Sequence, residues 1–407
     1  MSERAPSDVA PSVLTKGLVL LLATACGLSA ANLYYAQPLL HAIAGTFHSG
    51  PSVTALIVTG SQLGYALGLG FLVPIGDMVA RRRLVPIVLG ITAVGLVLAA
   101  ISPNIALLIA ACVLVGLGSV AAQMLVPLAA ELAAEANRGA VVGKVMSGLL
   151  IGILLARTLA GLVADVAGWR SVYFAAAGLI VLLAIVLSRR LPDEIRATTH
   201  SHSYAGLLRS VVELFVGERM LRRRALFGAL AFAAFSVFWT TVAFVLAGPP
   251  YHYNETVIGL FGLVGAAGAI FANVAGRLAD RGHVGHLTSA CALLLLVSFG
   301  VLYLGRHALW AMILGIVLLD VGTQGMQVTN QSVIYRLAPE ARSRVTSAYM
   351  VVYFIGGAAG SAIAGGVYAS AKWAGVCILG AGIGALALLL VVASRFRVSN
   401  IATSPHP

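Results

Sequence analysis

Long apolar runs follow one another along almost the whole chain, separated by short polar stretches. Twelve of these runs approach or exceed the ~20 residues that an α-helix needs to cross a bilayer. The runs are continuous and do not alternate with polar positions, which excludes the strands of a membrane β-barrel. The predicted spans are residues 17–43, 53–75, 84–102, 105–132, 140–167, 170–188, 224–247, 255–278, 286–304, 308–334, 345–370 and 374–394. The pattern therefore predicts an all-α membrane protein with twelve transmembrane helices.

The two halves of this pattern look like copies of one unit. Glycine, glutamine, arginine and tryptophan recur at a constant offset of 204 residues, and an Ala-, Leu- and Val-rich chain gives few chance matches among Gln, Arg and Trp. The matching pairs are Gly118/Gly322, Gln123/Gln327, Arg138/Arg342, Gly152/Gly356, Gly161/Gly365 and Trp169/Trp373. We expect two pseudo-symmetric six-helix halves, 17–188 and 224–394. Duplicated halves are typical of secondary transporters, whose substrate site lies at the interface between the halves.

Polar segments flank the two halves. The central loop, 189–223, contains an apolar stripe that suits a short amphipathic helix on the membrane surface, and a plain flexible linker is an equal alternative. The tails, 1–16 and 395–407, are expected to be disordered. The first apolar run is too long for a cleavable signal peptide and leads directly into a span.

The distribution of charged residues along the chain predicts how the spans are oriented in the membrane. The chain is 60% hydrophobic and 10% charged, with a net charge of +12, whereas soluble domains have about 25% charged residues. When the spans are threaded alternately, most Lys and Arg residues fall on one side, which puts both termini in the cytoplasm. The partners of this basic face are then anionic lipid headgroups, and nucleic acid is not expected.

The sequence shows no motif that indicates an enzyme or a metal site. Cys26, Cys112, Cys291 and Cys377 fall inside spans without metal-ligand spacing, so neither a disulfide nor a metal site is predicted. The chain has no HExxH or GxSxG motif and no cluster of carboxylates or histidines at membrane depth. We therefore expect a protein that is not an enzyme and that has no cofactor.

Two ionisable residues stand out because they lie well inside predicted spans, where such residues are costly and are functional candidates. Asp320 lies near the middle of the tenth span and Arg157 lies inside the fifth. Gln324, Gln327 and Gln331 follow Asp320 at spacings that place them on one helix face. Because amides facing lipid would remain unsatisfied, we expect this face to line a cavity. A buried hydrogen-bond network between helices is the alternative.

Other spans carry polar and aromatic residues that suit a small-molecule pocket. The candidates for this pocket are Asn32, Tyr35, Gln123 and Trp239. We predict that Asp320 is the proton-coupling carboxylate, since it is the acidic residue nearest the centre of a span. For Arg157 we favour a structural or gating contact with another helix, and binding of an anionic substrate is the alternative.

Several loops carry motifs that are related between the halves. The segment PIGDMVARRRL after the second span looks like the helix 2–3 loop motif of the major facilitator superfamily, Gly-x-Leu-x-Asp-Arg-x-Gly-Arg-Arg. Together with the twelve spans, the central loop and the duplicated halves, this motif gives a resemblance to that superfamily over nearly the whole chain. The resemblance implies a gating role for loop residues of both halves. These residues are Asp77, Arg81, Arg82 and Arg138 in the first half, and Asp280, Arg281 and Arg342 in the second.

The fifth span, GILLARTLAG, resembles the Gly-x-x-x-Gly-Pro-x-x-Gly-Gly pattern of the drug-exporter branch. Gly152 and Gly161 match the pattern, and Arg157 stands where that branch has Pro. The resemblance implies a monomeric, proton-coupled exporter of a small organic molecule that works by alternating access. The alternatives are an importer or uniporter of a metabolite or organic anion and, from another class, a membrane scaffold that does not transport.

Overall fold

The computed structural model describes residues 14–76, 78–192, 204–337 and 342–402, with the side chains of residues 342, 343 and 395–402 left out of that description. Asp77 therefore lies outside the described residues. All regular elements within these ranges are helices. Eleven helical segments of the described chain are long and apolar enough to cross a membrane.

The N-terminal half contains six spans. They are α1 (Lys16–Phe47), α2 (Pro51–Ile75), α3 (Arg81–Ala100), α4 (Ile105–Leu132), α5 (Glu135–Ala167) and α6 (Trp169–Arg190). The first span is broken into Lys16–Ala31 and Ala36–Phe47. Pro38 follows this break, and because Pro has no N–H it cannot donate to the carbonyl of Tyr34 four residues earlier. The break places residues 32–35 in the middle of a span.

The C-terminal half follows the linker helix, Tyr204–Gly217. Its first spans are α7 (Arg219–Ala247), α8 (Glu255–Asp280), α9 (Val284–Leu304) and α10 (Leu309–Leu337). The remaining helical segment, Arg342–Ala402, has 61 residues and is interrupted at Lys372, where φ is 51° and ψ is −153°. It therefore forms two spans, α11 (342–371) and α12 (373–402), and the latter continues past residue 395. The predicted all-α fold with twelve membrane helices is confirmed.

Repeat-related glycines make equivalent contacts inside the two halves. A Cβ on Gly152 of α5 would overlap the backbone of Gly27 in α1, and a Cβ on Gly356 of α11 would overlap the backbone of Ala229 in α7. Small residues allow membrane helices to approach closely. The helix pairs α1–α5 and α7–α11 are thus packed in the same way, as a duplicated unit requires.

A second pair of repeat-related glycines packs between the halves. A Cβ on Gly161 of α5 would overlap the backbone of Glu255 in α8. A Cβ on Gly365 of α11 would lie 2.9 Å from the carbonyl oxygen of Pro51 in α2. The interface between the halves is therefore built from two equivalent helix pairs, α5–α8 and α2–α11.

Polar contacts between the halves gather near one end of the bundle. We define the distal end as the end that carries the turns at 48–50 and 248–254, and the linker end as the opposite one. Near the distal end, the side chains of Asn254 and Thr256 each donate to Oδ2 of Asp165 at 2.9 Å. Further inside, the Thr59 hydroxyl donates to the Ser361 hydroxyl at 3.1 Å. These bonds join α5 to α8 and α2 to α11.

The two parts of α8 have different neighbours. Glu255–Val264, at the distal end, packs against α5, whereas Ala266–Asp280 packs mainly against α10 and to a lesser extent α9. The helix changes partners at Gly265, between the two parts. The halves are therefore held together along α5 and α8 mainly at the distal end.

We expect Gly152→Ala to lower the thermal stability of the purified protein by about 1–3 kcal/mol, because the added methyl group would push α1 away from α5. The matched control is Gly143→Ala on the same helix, where a Cβ meets nothing within 4 Å. The control should be neutral or slightly stabilising. An equal loss of stability in both variants, measured by thermal unfolding, would contradict the close α1–α5 packing.

Candidate functional site

Arg157 lies in the interface between the halves. It belongs to α5 and is only 3% exposed. Two glycines of α8 make room for it, since a Cβ on Gly259 would lie 2.5 Å from the Arg157 carbonyl oxygen and one on Gly262 would lie 2.8 Å from the Arg157 Cβ. The side chain thus fills space that larger residues on α8 would occupy.

The guanidinium of Arg157 is held by one amide and three aromatic rings. Its Nε donates to Oε1 of Gln37, on α1, at 2.6 Å. Its central carbon lies 4.0 Å from the ring centroid of Trp239, 4.7 Å from that of Tyr34 and 5.6 Å from that of Phe235. Ring faces attract cations at these distances. Its Nη2 has no hydrogen-bond partner. Three helices, α1, α5 and α7, therefore converge on this charge.

Asp320 lies on the other side of the Trp239 indole. It is 4% exposed, and its Oδ1 accepts a hydrogen bond from Nε1 of Trp239 at 3.4 Å. No ion pair within 4.0 Å joins Arg157 to Asp320, although the two charges interact electrostatically. Trp239 contacts Arg157 with its ring face and Asp320 with its N–H. We name these three residues the Arg–Trp–Asp group, which draws on both halves.

Two glutamines that are repeat partners each bond a tyrosine of an interface helix. Gln123 of α4 donates from Nε2 to the Tyr65 hydroxyl at 3.2 Å. The Tyr353 hydroxyl donates to Oε1 of Gln327, on α10, at 3.1 Å. The other members of the predicted glutamine row, Gln324 and Gln331, are half-buried. Within this row, Gln327 thus takes part in a hydrogen bond between helices, and the lining of a cavity by the row stays a prediction.

Two buried amides near the centre have polar atoms without hydrogen-bond partners. Asn32 is 4% exposed, and neither its amide nitrogen nor its oxygen is bonded. It lies in the break of α1, where Tyr35 is also buried. Gln62 of α2 donates to the Ser236 hydroxyl at 2.9 Å, but its Oε1 has no partner. Because native proteins satisfy most buried polar groups, these atoms are candidates for contacts with water or a bound polar molecule.

Aromatic rings connect the Arg–Trp–Asp group to α2. Centroid distances between successive rings run from 4.2 to 6.0 Å, within or slightly below the range of favourable ring pairs. In order from the group, the rings are Trp239, Phe235, Phe232, Tyr353, Phe354 and Tyr65. We name this set the ring run. It crosses from α7 through α11 to α2.

The proposed gating residues of the first half contact the end of α4. Arg81 donates from both terminal nitrogens to the carboxylate of Glu131, at 2.5 and 2.9 Å. Arg138 donates from Nε to the Ala130 carbonyl oxygen at 3.1 Å. Sequence reasoning missed Glu131, because only the packed fold shows that the start of α3 meets the end of α4.

In the second half, Asp280 accepts a hydrogen bond from Arg336 at 3.4 Å, between two exposed side chains. Arg281 ends α8, and Arg342 begins α11 with its side chain outside the description. Arg82, at the start of α3, is half-buried. The pairs formed by Arg81, Arg138 and Asp280 each lie within one half, at the linker end.

Arg224 is the first residue of the predicted seventh span, and the structure buries it at 5% exposure. Its Nη1 donates to the Thr288 hydroxyl at 3.0 Å and to Oδ1 of Asn330 at 3.4 Å. Asn330 lies next to Gln331 in the sequence and was a visible signal. Gln37 was likewise a polar residue within a span, yet nothing in the sequence pairs it with Arg157.

Comparisons with known proteins agree with this architecture. A model of the Major Facilitator Superfamily matches residues 21–306. The chain is 50% identical over 377 residues to the "Uncharacterized transporter YgaY" of Escherichia coli O157:H7, covering 93% of this chain and 95% of that protein. It is 34% identical over 378 residues to the "Probable transporter SCO4007" of Streptomyces coelicolor, covering 92% and 87%. These matches extend over nearly the whole chain.

Solved structures share the fold at low sequence identity. The nucleoside transporter NupG aligns with a TM-score of 0.73 and 13% identity, covering 92% of this chain and 99% of that one. The xylose transporter XylE from Escherichia coli aligns with a TM-score of 0.70 and 14% identity, covering 92% and 96%. The arrangement of twelve helices in two halves is therefore a known transporter fold.

We expect Arg157→Ala to lower thermal stability by roughly 3 kcal/mol, because it leaves Gln37 unbonded and Asp320 without a nearby cation. Arg157→Lys should lose less, since it keeps the charge but not the planar group that lies on the Trp239 ring. The control is Arg209→Ala on the linker helix, where the side chain is 81% exposed and no loss is expected. Unchanged melting of Arg157→Ala would contradict these contacts.

Proposed function

Because this chain belongs to the major facilitator superfamily and is a membrane transporter, we propose that it carries a small organic molecule by proton-coupled alternating access. The observation that supports this proposal is the Arg–Trp–Asp group. Arg157 comes from the N-terminal half, and Trp239 and Asp320 come from the C-terminal half. Charged residues at membrane depth mark substrate or proton pathways, and substrate sites of such transporters lie between the halves.

Asp320 is the carboxylate that we propose takes up the coupled proton. When it is charged, it balances the positive charge of Arg157 across the Trp239 indole. When it is protonated, Arg157 loses that balance in a region of low dielectric, where an unbalanced charge is costly. Since the two charges belong to different halves, proton binding changes the energy of their interface. A proton can therefore shift the equilibrium between two arrangements of the halves.

Alternating access requires contacts that open and close. The bonds from Asn254 and Thr256 to Asp165 join the halves at the distal end, and we propose that they break when that end opens. Each is a hydrogen bond between small polar groups, whose net contribution is about 0.5–1.5 kcal/mol, or up to about 3 where the partner is charged. Contacts of this size can form and break in each transport cycle.

The linker end supplies the gating residues of the proposal. The Arg81–Glu131 and Asp280–Arg336 pairs hold helix ends together within one half, so we propose that they keep each half rigid while the halves move. Arg82, Arg138, Arg281 and Arg342 lie at the same end, and the motif resemblance assigns Asp77 to it.

For orientation and location, we propose that both termini lie in the cytoplasm of a bacterium and that the protein lies in its inner membrane. The asymmetric placement of Lys and Arg supports this orientation. The linker helix, in which no residue is buried, would then lie along a leaflet whose anionic headgroups attract the basic loops. A monomer is sufficient, since the Arg–Trp–Asp group is complete within one chain.

Two directions of transport follow from different observations. The exporter-like glycine pattern of α5 favours export in exchange for protons. The unpartnered Nη2 of Arg157 favours a second candidate, uptake of an organic anion together with a proton. Transport in proteoliposomes of defined orientation distinguishes both candidates from a membrane scaffold, which would move no solute.

We expect Asp320→Asn to abolish pH-driven accumulation in proteoliposomes while leaving exchange of substrate across the membrane measurable, because the amide cannot take up a proton. The substrate for this assay is a compound that raises the melting temperature of the purified protein, since a ligand of the folded form stabilises it. The control is Glu213→Gln, on the exposed face of the linker helix. If pH-driven accumulation survives in Asp320→Asn, the assignment of the proton to this residue is wrong.

Asp280→Asn should slow exchange about two- to fivefold without changing substrate affinity. The pair with Arg336 is exposed on both sides, so its loss should cost no more than about 1 kcal/mol. Exchange rates and the binding constant would be measured on the same preparation. A large loss of affinity at a normal exchange rate would show that Asp280 acts on the substrate site instead.

A further inference from the structure

The guanidinium of Arg157 has more hydrogen-bond donors than its surroundings use. Arginine carries five N–H groups in one plane. Gln37 satisfies Nε, but Nη2 is buried without a partner. The Trp239 and Tyr34 rings are close enough to stabilise the charge, yet a ring face does not replace a hydrogen-bond acceptor for the N–H groups. An unpaired donor on a buried cation is costly, so this nitrogen is suited to an anionic oxygen.

No carboxylate of the described chain takes this position. Asp320 is more than 4.0 Å from the guanidinium nitrogens and bonds the Trp239 N–H instead. Asp165 of the same helix accepts from Asn254 and Thr256 at the distal end. A bound molecule can therefore supply the acceptor that fits Nη2. A cationic substrate would be repelled at this point.

We propose that the substrate is an organic anion with an aromatic ring, that its anionic group binds Nη2 of Arg157, and that it binds together with one proton on Asp320. Because this proposal names the substrate class of the same site, it rests on the proposed function. A carboxylate fits best, since two oxygens can accept from the planar fork of an arginine.

Asn32 offers a second contact for the anion. Its amide is buried and has no partner at either atom, and it lies in the break of α1, two residues before the Tyr34 ring that lies close to Arg157. The Asn32 amide can donate to a carboxylate oxygen without breaking a hydrogen bond within the protein, because its side chain makes none. We assign Asn32 as a positioning residue for the anionic group.

The ring run is buried where the halves meet, and we propose that it becomes the surface for the rest of the molecule when the halves part. Phe235 contacts the Arg157 guanidinium at 5.6 Å and stacks on Phe232 at 5.6 Å, so the run begins at the charge. Aromatic pairs contribute about 0.5–1.5 kcal/mol beyond the area they bury. A flat aromatic body next to the anionic group is therefore favoured over an aliphatic body of equal size.

The charges around Asp320 determine how anion and proton are linked. Arg157 on α5, Tyr34 on α1 and Tyr353 on α11 are the titratable or charged groups that interact with it electrostatically. The neighbouring α7 and α8 present Trp239, Gly265 and Gly268. A bound anion would place a second negative charge beside the single cation, so it binds best when Asp320 is protonated. Anion affinity should rise as the pH falls.

This linkage has a consequence for the direction of transport. A ligand that binds with a proton crosses the membrane with that proton, whereas a ligand that competes with the proton is exchanged for it. The charge arrangement at Arg157 and Asp320 thus favours proton-coupled uptake of the anion over export in exchange for protons.

The test uses purified full-length protein and three probes: 2-naphthoate, its neutral analogue 2-naphthamide, and cyclohexanecarboxylate. We expect 2-naphthoate to bind and to raise the melting temperature, 2-naphthamide to have no effect, and cyclohexanecarboxylate to bind about tenfold more weakly. The dissociation constant of 2-naphthoate should fall by up to about tenfold for each unit that the pH is lowered, the limit for one linked proton. This pH dependence should vanish in Asp320→Asn.

Two variants locate the anion. Arg157→Lys should weaken 2-naphthoate binding at least about tenfold, because lysine cannot present two parallel donors, whereas Arg209→Lys on the exposed linker helix should have no effect. Asn32→Ala removes a side chain with no internal partner, so it should fold normally and still weaken binding about threefold or more. If Arg157→Lys fails to fold, the binding of 2-naphthoate to Asn32→Ala still tests where the anion binds.

The proposal is overturned if 2-naphthoate does not bind, if 2-naphthamide or cyclohexanecarboxylate binds equally well, or if its binding does not depend on pH. The proposed function has a separate readout that needs no substrate. Protonation of Asp320 should change the fluorescence of Trp239, which donates to it, and Asp320→Asn should remove that pH dependence. If the fluorescence change is present but 2-naphthoate fails, only the substrate class is wrong.

Discussion

A single positive charge buried between two membrane domains sets the constraint on the centre of this protein. Hydrocarbon cannot solvate a guanidinium, so the chain surrounds Arg157 with groups that can. The α8 glycines leave space for it, Gln37 accepts one of its hydrogen bonds, and the Trp239 and Tyr34 rings lie close to it. Asp320 supplies the compensating charge from the opposite half through the Trp239 indole. Residues from five helices therefore depend on one another, and Asp320 and Trp239 interact with Arg157 only while the halves are in contact.

The interface that buries this charge is also the one that must rearrange during transport. Its helix pairs approach through Gly161 and Gly365 and bond through hydroxyl groups near Ser361. Such contacts depend on close fit and not on strong ion pairs, so they can separate at moderate cost. In the proposed cycle, the balance between Arg157 and Asp320 decides which arrangement of the halves is more stable. A proton or an anion at this point would change that balance, which is how we propose that the chemistry of the site is coupled to the movement of the halves.

Local properties of the sequence were sufficient to predict the helices and the depth of Arg157 and Asp320. Span length and continuous hydrophobicity encode each helix independently, and the repeat of Gly152 and Gly161 in the second half encodes the helix pairs. The partners of the charges could not be predicted, because Gln37 and Arg157 are 120 residues apart and meet only through the packing angles of α1 and α5. The same reason explains why Glu131 was missed as the partner of Arg81. The roles of the site residues in transport remain proposals.

The central claim is that Arg157 and Asp320 act as one electrostatic unit across the two halves. A double-mutant cycle measures this most directly, with Arg157→Met, Asp320→Asn and the double variant compared in thermal or denaturant unfolding at a pH at which the wild-type Asp320 is charged. If the two residues interact, the double variant should lose at least about 1 kcal/mol less stability than the two single variants lose together. Additive losses, within about 0.5 kcal/mol, would show that the two residues act independently and would contradict the account.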